Sequence, residues 1–254
     1  MEDTRSSGMD SDPNLHRANE RLRITNQMLW SLLADISKKM QSSSAAIKAS
    51  VSSLLGYDIV LGMAAQHELL EIIESSTDQV SKNIMLLTLV SKMATDTFII
   101  NPEPTEVPEI LSSVNGTVAK NYPDLPLDLN VQTPGKPAYV DYEYLSIALV
   151  MLCELIIQMQ PSPRPLSIAA VESKDHWAVD IGEVNQEVLD TLLKASASGS
   201  DELLQDAHLL PTRRLQLYVV YEILERLSIK ISTLSSDTDE PVYIRLMIPV
   251  VNIN

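Results

Sequence analysis

Glycine is scarce in this chain of 254 residues, which contains only seven. No two of them lie closer than six residues, since they stand at Gly8, Gly56, Gly62, Gly116, Gly135, Gly182 and Gly199. The G-x-G-x-x-G fingerprint of dinucleotide sites and the G-K-[ST] end of a Walker loop both need closely spaced glycines, which bring backbone N–H groups onto phosphate. Both kinds of phosphate-binding loop are therefore excluded.

Metal-ligating residues are also few. A single cysteine, Cys153, permits neither an internal disulfide nor a thiolate metal cluster, which is typical of a protein in a reducing cytoplasm. The four histidines are scattered, and no pair has the spacing of zinc ligands: His16, His67, His176 and His208. The sequence therefore predicts no metal site.

Basic side chains are outnumbered, with 19 Lys and Arg against 34 Asp and Glu and a net charge of −15. The surplus is uneven: residues 1–100 hold 12 acidic and 9 basic side chains, whereas residues 101–254 hold 22 and 10. Because neutralising nucleic-acid phosphate needs clustered Lys and Arg, nucleic acid is excluded as a partner.

Signals for export and membrane insertion are lacking as well. The first 13 residues contain no basic segment followed by an apolar core, so no signal peptide is predicted. The strongly apolar run at residues 147–157 is interrupted by Glu154 and is too short to span a bilayer. We expect a folded, cytoplasmic protein without direct membrane insertion.

The first half of the chain has helical periodicity. After a start at residues 1–13 that is predicted to be disordered, heptads predict a bundle helix that continues to Gly56, and a second amphipathic helix is predicted over His67–Met93. The two would form an antiparallel hairpin, the dimerisation domain of residues 14–100. One hairpin cannot cover both apolar stripes, so we expect a homodimeric four-helix bundle; in the alternative, both helices pack on the rest of their own chain. The predicted dimer interface comprises Leu22, Leu29, Ile36, Ile73, Val80 and Leu87.

The second half has α/β character. The proline-rich segment 101–108 marks a domain boundary. Residues 101–254 then predict a two-layer α+β sandwich, in which helices cover one face of a mixed sheet. The predicted helices are Glu109–Tyr122, Asp141–Met159, Gln186–Lys194 and Thr212–Leu227, and the predicted strands are Leu125–Val131, Leu166–Val171, Trp177–Ile181, Ile229–Leu234 and Val242–Ile248.

This layout resembles the core of the sensor histidine kinases over roughly residues 25–250. Leu33–Met40 is similar to the leader of the family's H-box, and His67–Ser81 to its second bundle helix. Asn101-Pro-Glu-Pro104 resembles the link into the ATP-binding domain, and Val140-Asp141 the strand end before the N-box helix. The resemblance implies a dimeric helical hairpin joined to an ATPase-like α/β sandwich.

The residues at the family's phosphorylation site differ from its pattern. Alignment through Ser37 places Lys38 where the family has its phosphoaccepting histidine, and Lys39 where it has an acidic base. An ammonium group has no free lone pair at neutral pH, so Lys38 cannot replace an imidazole nucleophile. Lys38 and Lys39 could instead contact an acidic partner, or form a solvated face of the bundle.

The positions of the ATP site also differ. Met151 and Leu155 stand where the family places the asparagines that hold Mg²⁺, and neither offers an oxygen to a hard cation. Asp180 and Gly182 resemble a remnant of the adenine-binding D-x-G motif without its second glycine. Arg214 and Gln216 replace the glycines of the ATP lid, where side chains obstruct a close approach of the backbone to phosphate.

These differences predict a pseudokinase that binds neither ATP nor Mg²⁺ and acts through protein contacts, with a receiver domain or an active histidine kinase as partner. One alternative is a phosphotransfer protein that uses His67 or another histidine, and another is a weakly active ATP-dependent histidine kinase. A further alternative is an unrelated scaffold of similar architecture. Arg213 and Arg214 could bind an anion at a helix N-terminus or pair with acids at positions 201, 202 and 206.

Overall fold

The computed structural model describes residues 13–56, 62–132, 135–160, 162, 164–184, 189–190, 193–194, 197, 209–234 and 242–250. Two long helices begin the chain, α1 (Pro13–Gly56) and α2 (Met63–Ala94). Proline suits the first turn of α1 because its missing N–H has no helical partner there. Both helices bury one apolar stripe, formed by Leu29, Leu32 and Ile36 of α1 and by Leu86, Leu89, Val90 and Met93 of α2. The predicted helical hairpin is thus present.

A tight turn connects α2 to the second half. Asp96 has a positive φ of 54°, and the backbone N–H groups of Thr97 and Phe98 both donate to the Lys92 carbonyl. The chain then brings Phe98 into the core, where its ring contacts Tyr144 at 4.6 Å between centroids. The Arg226 guanidinium lies over the same ring, 4.9 Å from its centroid.

One of two short paired strands lies within the proline-rich segment. Strand β1 (Glu103–Thr105) pairs antiparallel with β3 (Ala138–Val140). Helix α3 (Val107–Asn121) begins between them with a proline in its first turn. The sequence pattern predicts neither β1 nor the start of β3, because three-residue strands are too short for an alternating pattern to be recognised.

The main sheet has five strands in the order β2-β4-β5-β7-β6. Strand β2 (Leu127–Val131) runs parallel to β4 (Leu166–Glu172), and the pairs that β5 (His176–Val184) forms with β4 and β7 (Val242–Pro249) are antiparallel. Strand β6 (Lys230–Leu234) completes the sheet at the edge beside β7.

One face of the sheet is covered by α3, α4 (Tyr142–Met159) and α5 (Pro211–Arg226). Alternate residues of the central strands enter the same core as these helices, namely Trp177, Val179 and Ile181 of β5 and Ile244, Leu246 and Ile248 of β7. A helical hairpin followed by a two-layer α/β sandwich is the predicted fold class, which is confirmed. The predicted helix Gln186–Lys194 and the disordered start fall largely outside the described residues.

Helix α4 is the centre of the core. The Asp141 side chain caps it by accepting from the Tyr144 backbone N–H at 3.1 Å. By length and composition alone α4 could cross a membrane, but here it packs against α3 and α5. Its apolar character is what a helix surrounded by other elements requires.

Candidate functional site

The two lysines in the middle of α1 differ in their contacts. The Lys38 side chain is exposed, whereas the Lys39 Nζ donates to the Thr212 hydroxyl at the start of α5. Lys39 therefore joins the hairpin to the second half, which the sequence did not predict. The side chain at the predicted phosphoacceptor position, Lys38, is thus solvated.

The two residues at the N-box positions of α4 are both buried, with exposed fractions of 4% for Met151 and 1% for Leu155. Leu155 belongs to the core, and Met151 also lines a cavity between the hairpin and the second half. A thioether and an alkyl group provide no ligand for Mg²⁺, which prefers oxygen. Among the described residues there is also no group of three His, Cys, Asp or Glu that could hold a metal ion.

Asp180 lies on the other face of the sheet. It is paired in register with Arg245 of β7, and the guanidinium Nε and Nη2 donate to the two carboxylate oxygens at 2.7 Å each. This hydrogen bonding raises the pKa of Arg245. Because neighbouring residues of a strand point to opposite faces, it is Ile181 that faces the helices. The structure does not bring Asp180 together with Met151 and Leu155.

Gly182 has a packing role beside Asp180. A Cβ at this position would overlap the ring of Tyr243 on the neighbouring strand β7. The register of β5 and β7 shifts between Ile181 and Val184, so Gly182 lies in the irregular segment of the ladder. Packing against the Tyr243 ring is therefore enough to explain a glycine at this position, without a nucleotide-binding motif.

The residues at the lid positions form the first turns of α5. Arg214 is partly buried and has a hydrogen-bonding or ionic partner. Gln216 lines the same cavity as Met151, together with Thr212 and Arg213. The Arg213 Nη2 donates to the Gln158 carbonyl at 2.8 Å. The acids at positions 201, 202 and 206, the alternative partners of these arginines, lie outside the described residues.

A buried carboxylate was not predicted as part of the site. Glu154 is 4% exposed, and its Oε1 accepts hydrogen bonds from Lys82 Nζ of α2 and Asn121 Nδ2 of α3, each at 2.7 Å. Burying a carboxylate is costly unless it is paired and hydrogen-bonded, and both requirements are met here. The signal was a lone acid inside the most apolar helix, which indicates a buried partner of opposite charge.

His67 stands apart from these groups, in the first turns of α2. Its side chain is 76% exposed, and its Nε2 lies 3.2 Å from Glu71 Oε1, one turn later. It does not line the cavity. The structure thus gives His67 a carboxylate neighbour but no contact with α4 or α5 among the described residues.

The residues of the predicted dimer interface differ in how far the single chain buries them. Leu29 and Ile36 are buried within the single chain, so no second copy is needed to cover them. Three of the predicted residues are half-buried on α2, namely Ile73, Val80 and Leu87. The side chain of Leu22 is not among those that the structure describes. Large apolar side chains of α2 remain exposed nearby, Leu70 and Ile84 among them.

No model of a known protein family matches the chain, and neither does any curated protein. Solved structures do match. Histidine kinase AdeS of Acinetobacter baumannii is 15% identical, with a TM-score of 0.53 and coverage of 84% of this chain and 96% of its own. A bacterial phosphotransferase is 14% identical, with a TM-score of 0.50 and coverage of 86% and 95%. Full-length ShkA, solved in complex with AMPPNP, is 11% identical, with a TM-score of 0.53 and coverage of 87% and 46%. The chain therefore has the fold of the sensor histidine kinase core.

Proposed function

We propose that this chain is a catalytically inactive, histidine-kinase-like signalling protein, which acts by forming a homodimer and by protein contacts in signalling of the two-component type. The observation that carries the proposal is the pair of buried apolar side chains, Met151 and Leu155, on α4, the helix that by resemblance to the family would carry the N-box asparagines. Phosphoryl transfer from ATP depends on positioning the phosphates and neutralising their charge. Met151 and Leu155 can do neither.

The exposed Lys38 supports the same conclusion. A phosphoryl acceptor on the first bundle helix needs a nitrogen lone pair that can attack the γ-phosphorus. The ammonium group of Lys38 has none at neutral pH. Loss of the acceptor and loss of the magnesium ligands affect separate steps, so both would have to be restored before the chain could act as a kinase.

Nucleotide titration tests the proposed inactivity. We expect isothermal titration with Mg-ATP to show no heat of binding up to millimolar nucleotide, and incubation with labelled ATP to leave the chain unlabelled. An active kinase of the same fold provides the positive control in both measurements. Saturable binding together with label on any histidine would overturn the proposal.

The proposed dimer forms through α2. Ile73, Val80 and Leu87 are half-buried in one chain, and the exposed Leu70 and Ile84 extend the same apolar surface. Exposed apolar surface of this kind indicates an interaction site. The acidic second half would steer the dimer toward a basic surface of a receiver domain or an active kinase.

Light scattering after gel filtration tests the dimer. We expect twice the mass of one chain at micromolar concentration and a shift toward the monomer in the variant L70Q/I84Q, in which both side chains are already exposed in the folded chain. The matched control is Ile99→Gln, because Ile99 is also exposed, at 67% against 54% for Leu70 and 49% for Ile84, but lies beyond α2. A wild-type monomer, or an equal shift in the Ile99 variant, contradicts the proposed interface.

Phosphotransfer through His67 is the second candidate, and it is favoured by one contact. The exposed imidazole has the Glu71 carboxylate within 3.2 Å, which can orient one ring nitrogen and leave the other free to accept phosphate. Incubation with a phosphorylated receiver domain, followed by mass spectrometry, separates the two functions. Phosphate on His67 that is lost in H67A and retained in H176A would replace the first proposal, and its absence from every histidine eliminates the second.

A further inference from the structure

A cavity of about 470 Å³ lies between the helical hairpin and the second half. Lys39 of α1 and Lys82 and Asn83 of α2 line one side, and side chains of α3, α4 and the start of α5 line the other. This volume lies within the range of small-molecule sites in proteins, about 300–1,000 Å³. The proposed function uses one residue of this lining, Met151, and assigns no ligand to the cavity.

The lining of the cavity is cationic in an acidic protein. Its charged side chains are Lys39, Lys82, Arg213 and Glu154, so the cavity carries a formal charge of +2 in a chain of net −15. Glu154 neutralises Lys82. Lys39 and Arg213 donate to neutral groups, the Thr212 hydroxyl and the Gln158 carbonyl. Among the described residues of the lining, no acid is therefore paired with the two positive charges at the α5 end of the cavity.

Two polar atoms in the wall lack a partner. The Asn83 side chain is 1% exposed, and its amide oxygen accepts from Gln79 at 3.3 Å while its Nδ2 has no hydrogen-bond acceptor. The buried hydroxyl of Ser146 on α4 has no partner either. A buried polar atom without a partner destabilises a folded protein, so these atoms indicate a ligand with hydrogen-bonding atoms.

Uncharged polar side chains such as Thr117, Gln158 and Gln216 also line the cavity. The apolar part of its wall is formed by Leu86, Val114, Ile147, Val150 and Met151, with Met85 and Leu210. These side chains offer dispersion contacts and no charge. Met151 occupies the place where a magnesium ligand would be needed, which makes the wall unsuitable for a metal-bound triphosphate. A hydrocarbon or aromatic body fits such a surface.

We infer that the cavity is a binding site for an amphipathic organic anion, with an apolar body and one acidic head group. The head group lies at Lys39 and Arg213, and the body lies against α3 and α4. Such a ligand contacts the hairpin and the second half together, so its binding fixes their relative position. The inference does not rest on the proposed function, because it uses the cavity alone.

Titration with the fluorescent anion 8-anilinonaphthalene-1-sulfonate tests the site on the full chain. We expect saturable binding of one dye per chain and displacement by decanoate. The variant K39Q/R213Q should bind the dye about tenfold or more weakly, since a hydrogen bond to a charged group contributes roughly that factor. Its affinity for N-phenyl-1-naphthylamine, which has the same apolar body without the sulfonate, should stay within twofold.

The matched control is K48Q/R164Q, which removes one lysine and one arginine that are exposed and lie outside the cavity lining. It should bind both dyes as the wild type does, and circular dichroism checks that both variants are folded. Three outcomes overturn the inference: no saturable binding, equal weakening in both variants, or displacement of the dye by Mg-ATP at lower concentration than by decanoate. The last would identify a nucleotide site, and it would also show in the calorimetric titration of the proposed function.

Discussion

Cys153 lies in the middle of α4 with no exposed surface. Burial raises the pKa of its thiol from 9.0 to about 12, and the nearby Glu154 charge acts in the same direction. The thiol therefore remains protonated in the folded chain over a pH range in which it ionises in the unfolded chain. A protonated, buried thiol is a poor nucleophile, which places Cys153 among structural residues.

This difference predicts a pH dependence of stability. Above about pH 9 the folded chain binds more protons than the unfolded chain, so stability falls as pH rises, by at most about 1.4 kcal/mol per pH unit from this group. Urea unfolding between about pH 8 and pH 10 should give a steeper decline for the wild type than for Cys153→Ala. Ellman's reagent gives a second test: the native chain should not react, and the unfolded chain should release one equivalent. Parallel pH curves, or rapid reaction of the native chain, would contradict the assignment.

The ring of Tyr243 determines which residue can stand at position 182. We expect Gly182→Ala to lower the free energy of unfolding by about 1–3 kcal/mol, because the added methyl group overlaps Tyr243. In the background Tyr243→Ala the same substitution should cost much less, which a double-mutant cycle in urea measures.

The control is Gly116→Ala, in the middle of α3, where an added Cβ meets open space. It should stabilise the chain by roughly 0.5–1 kcal/mol, since alanine favours helix. If Gly182→Ala were harmless, or equally harmful without the Tyr243 ring, the packing explanation would be wrong.

At the scale of elements, Lys82, Glu154 and Asn121 link three helices. Lys82→Met should lower the free energy of unfolding by about 1–2 kcal/mol, less than the roughly 3–5 kcal/mol for a fully buried pair, because the Lys82 side chain is 43% exposed. Replacing Glu154 by Gln in the same chain should recover part of the loss, since no buried charge then remains unpaired.

Lys48→Met is the matched control, because Lys48 is exposed on α1 and does not line the cavity that Lys82 and Glu154 line. Chemical unfolding of the three variants and the wild type measures all of these differences. Equal losses in the Lys82 and Lys48 variants would mean that the buried pair contributes nothing.

Periodicity made the long elements predictable. Apolar residues at heptad spacing located α1, and apolar residues three to four apart located α2. A proline-rich break separated the two halves. Helix α4 was evident from its apolar run and from Asp141 at its start. The predicted boundaries lie within a few residues of the observed ones because caps, prolines and strand alternation are local signals.

The candidate site could be predicted only in part. The substituted positions 38, 151 and 155 were located by alignment to a family, but the contacts that form the cavity join residues far apart in sequence. Lys39 meets Thr212 across 173 residues, and Lys82 meets Glu154 across 72. The strand face of Asp180 depends on the register of β5 with β7, which no single strand specifies. Distant pairing of this kind leaves no periodic signal.

At the scale of the whole molecule, the hairpin and the sandwich share one core. Buried residues of α1 and α2, among them Ile36 and Leu89, belong to the same apolar cluster as the sheet and its helices. We therefore expect the described parts to unfold together, in one cooperative transition.

The two tryptophans make this testable, since Trp30 is in α1 and Trp177 is in the sheet. In Trp30→Phe, at a 71% exposed position, fluorescence reports Trp177 alone, while circular dichroism at 222 nm follows mainly the helices. The two urea midpoints should coincide, and Ile36→Ala in α1 should move both by the same amount. Two separated transitions would show that the hairpin and the sandwich are independent.

The position of β7 in the sheet has a consequence for synthesis on the ribosome. It is the last strand along the described chain, yet it lies between β5 and β6. Asp180 is synthesised 65 residues before its partner Arg245. Strand β5 therefore has no neighbour on its β7 side until β7 has been made. Until β7 emerges, the nascent chain holds two unpaired strand edges, which are ready templates for wrong pairing. The α1–α2 hairpin, whose contacts are local, can form long before that, so the sheet and not the bundle sets the time at which the newborn chain is vulnerable to aggregation.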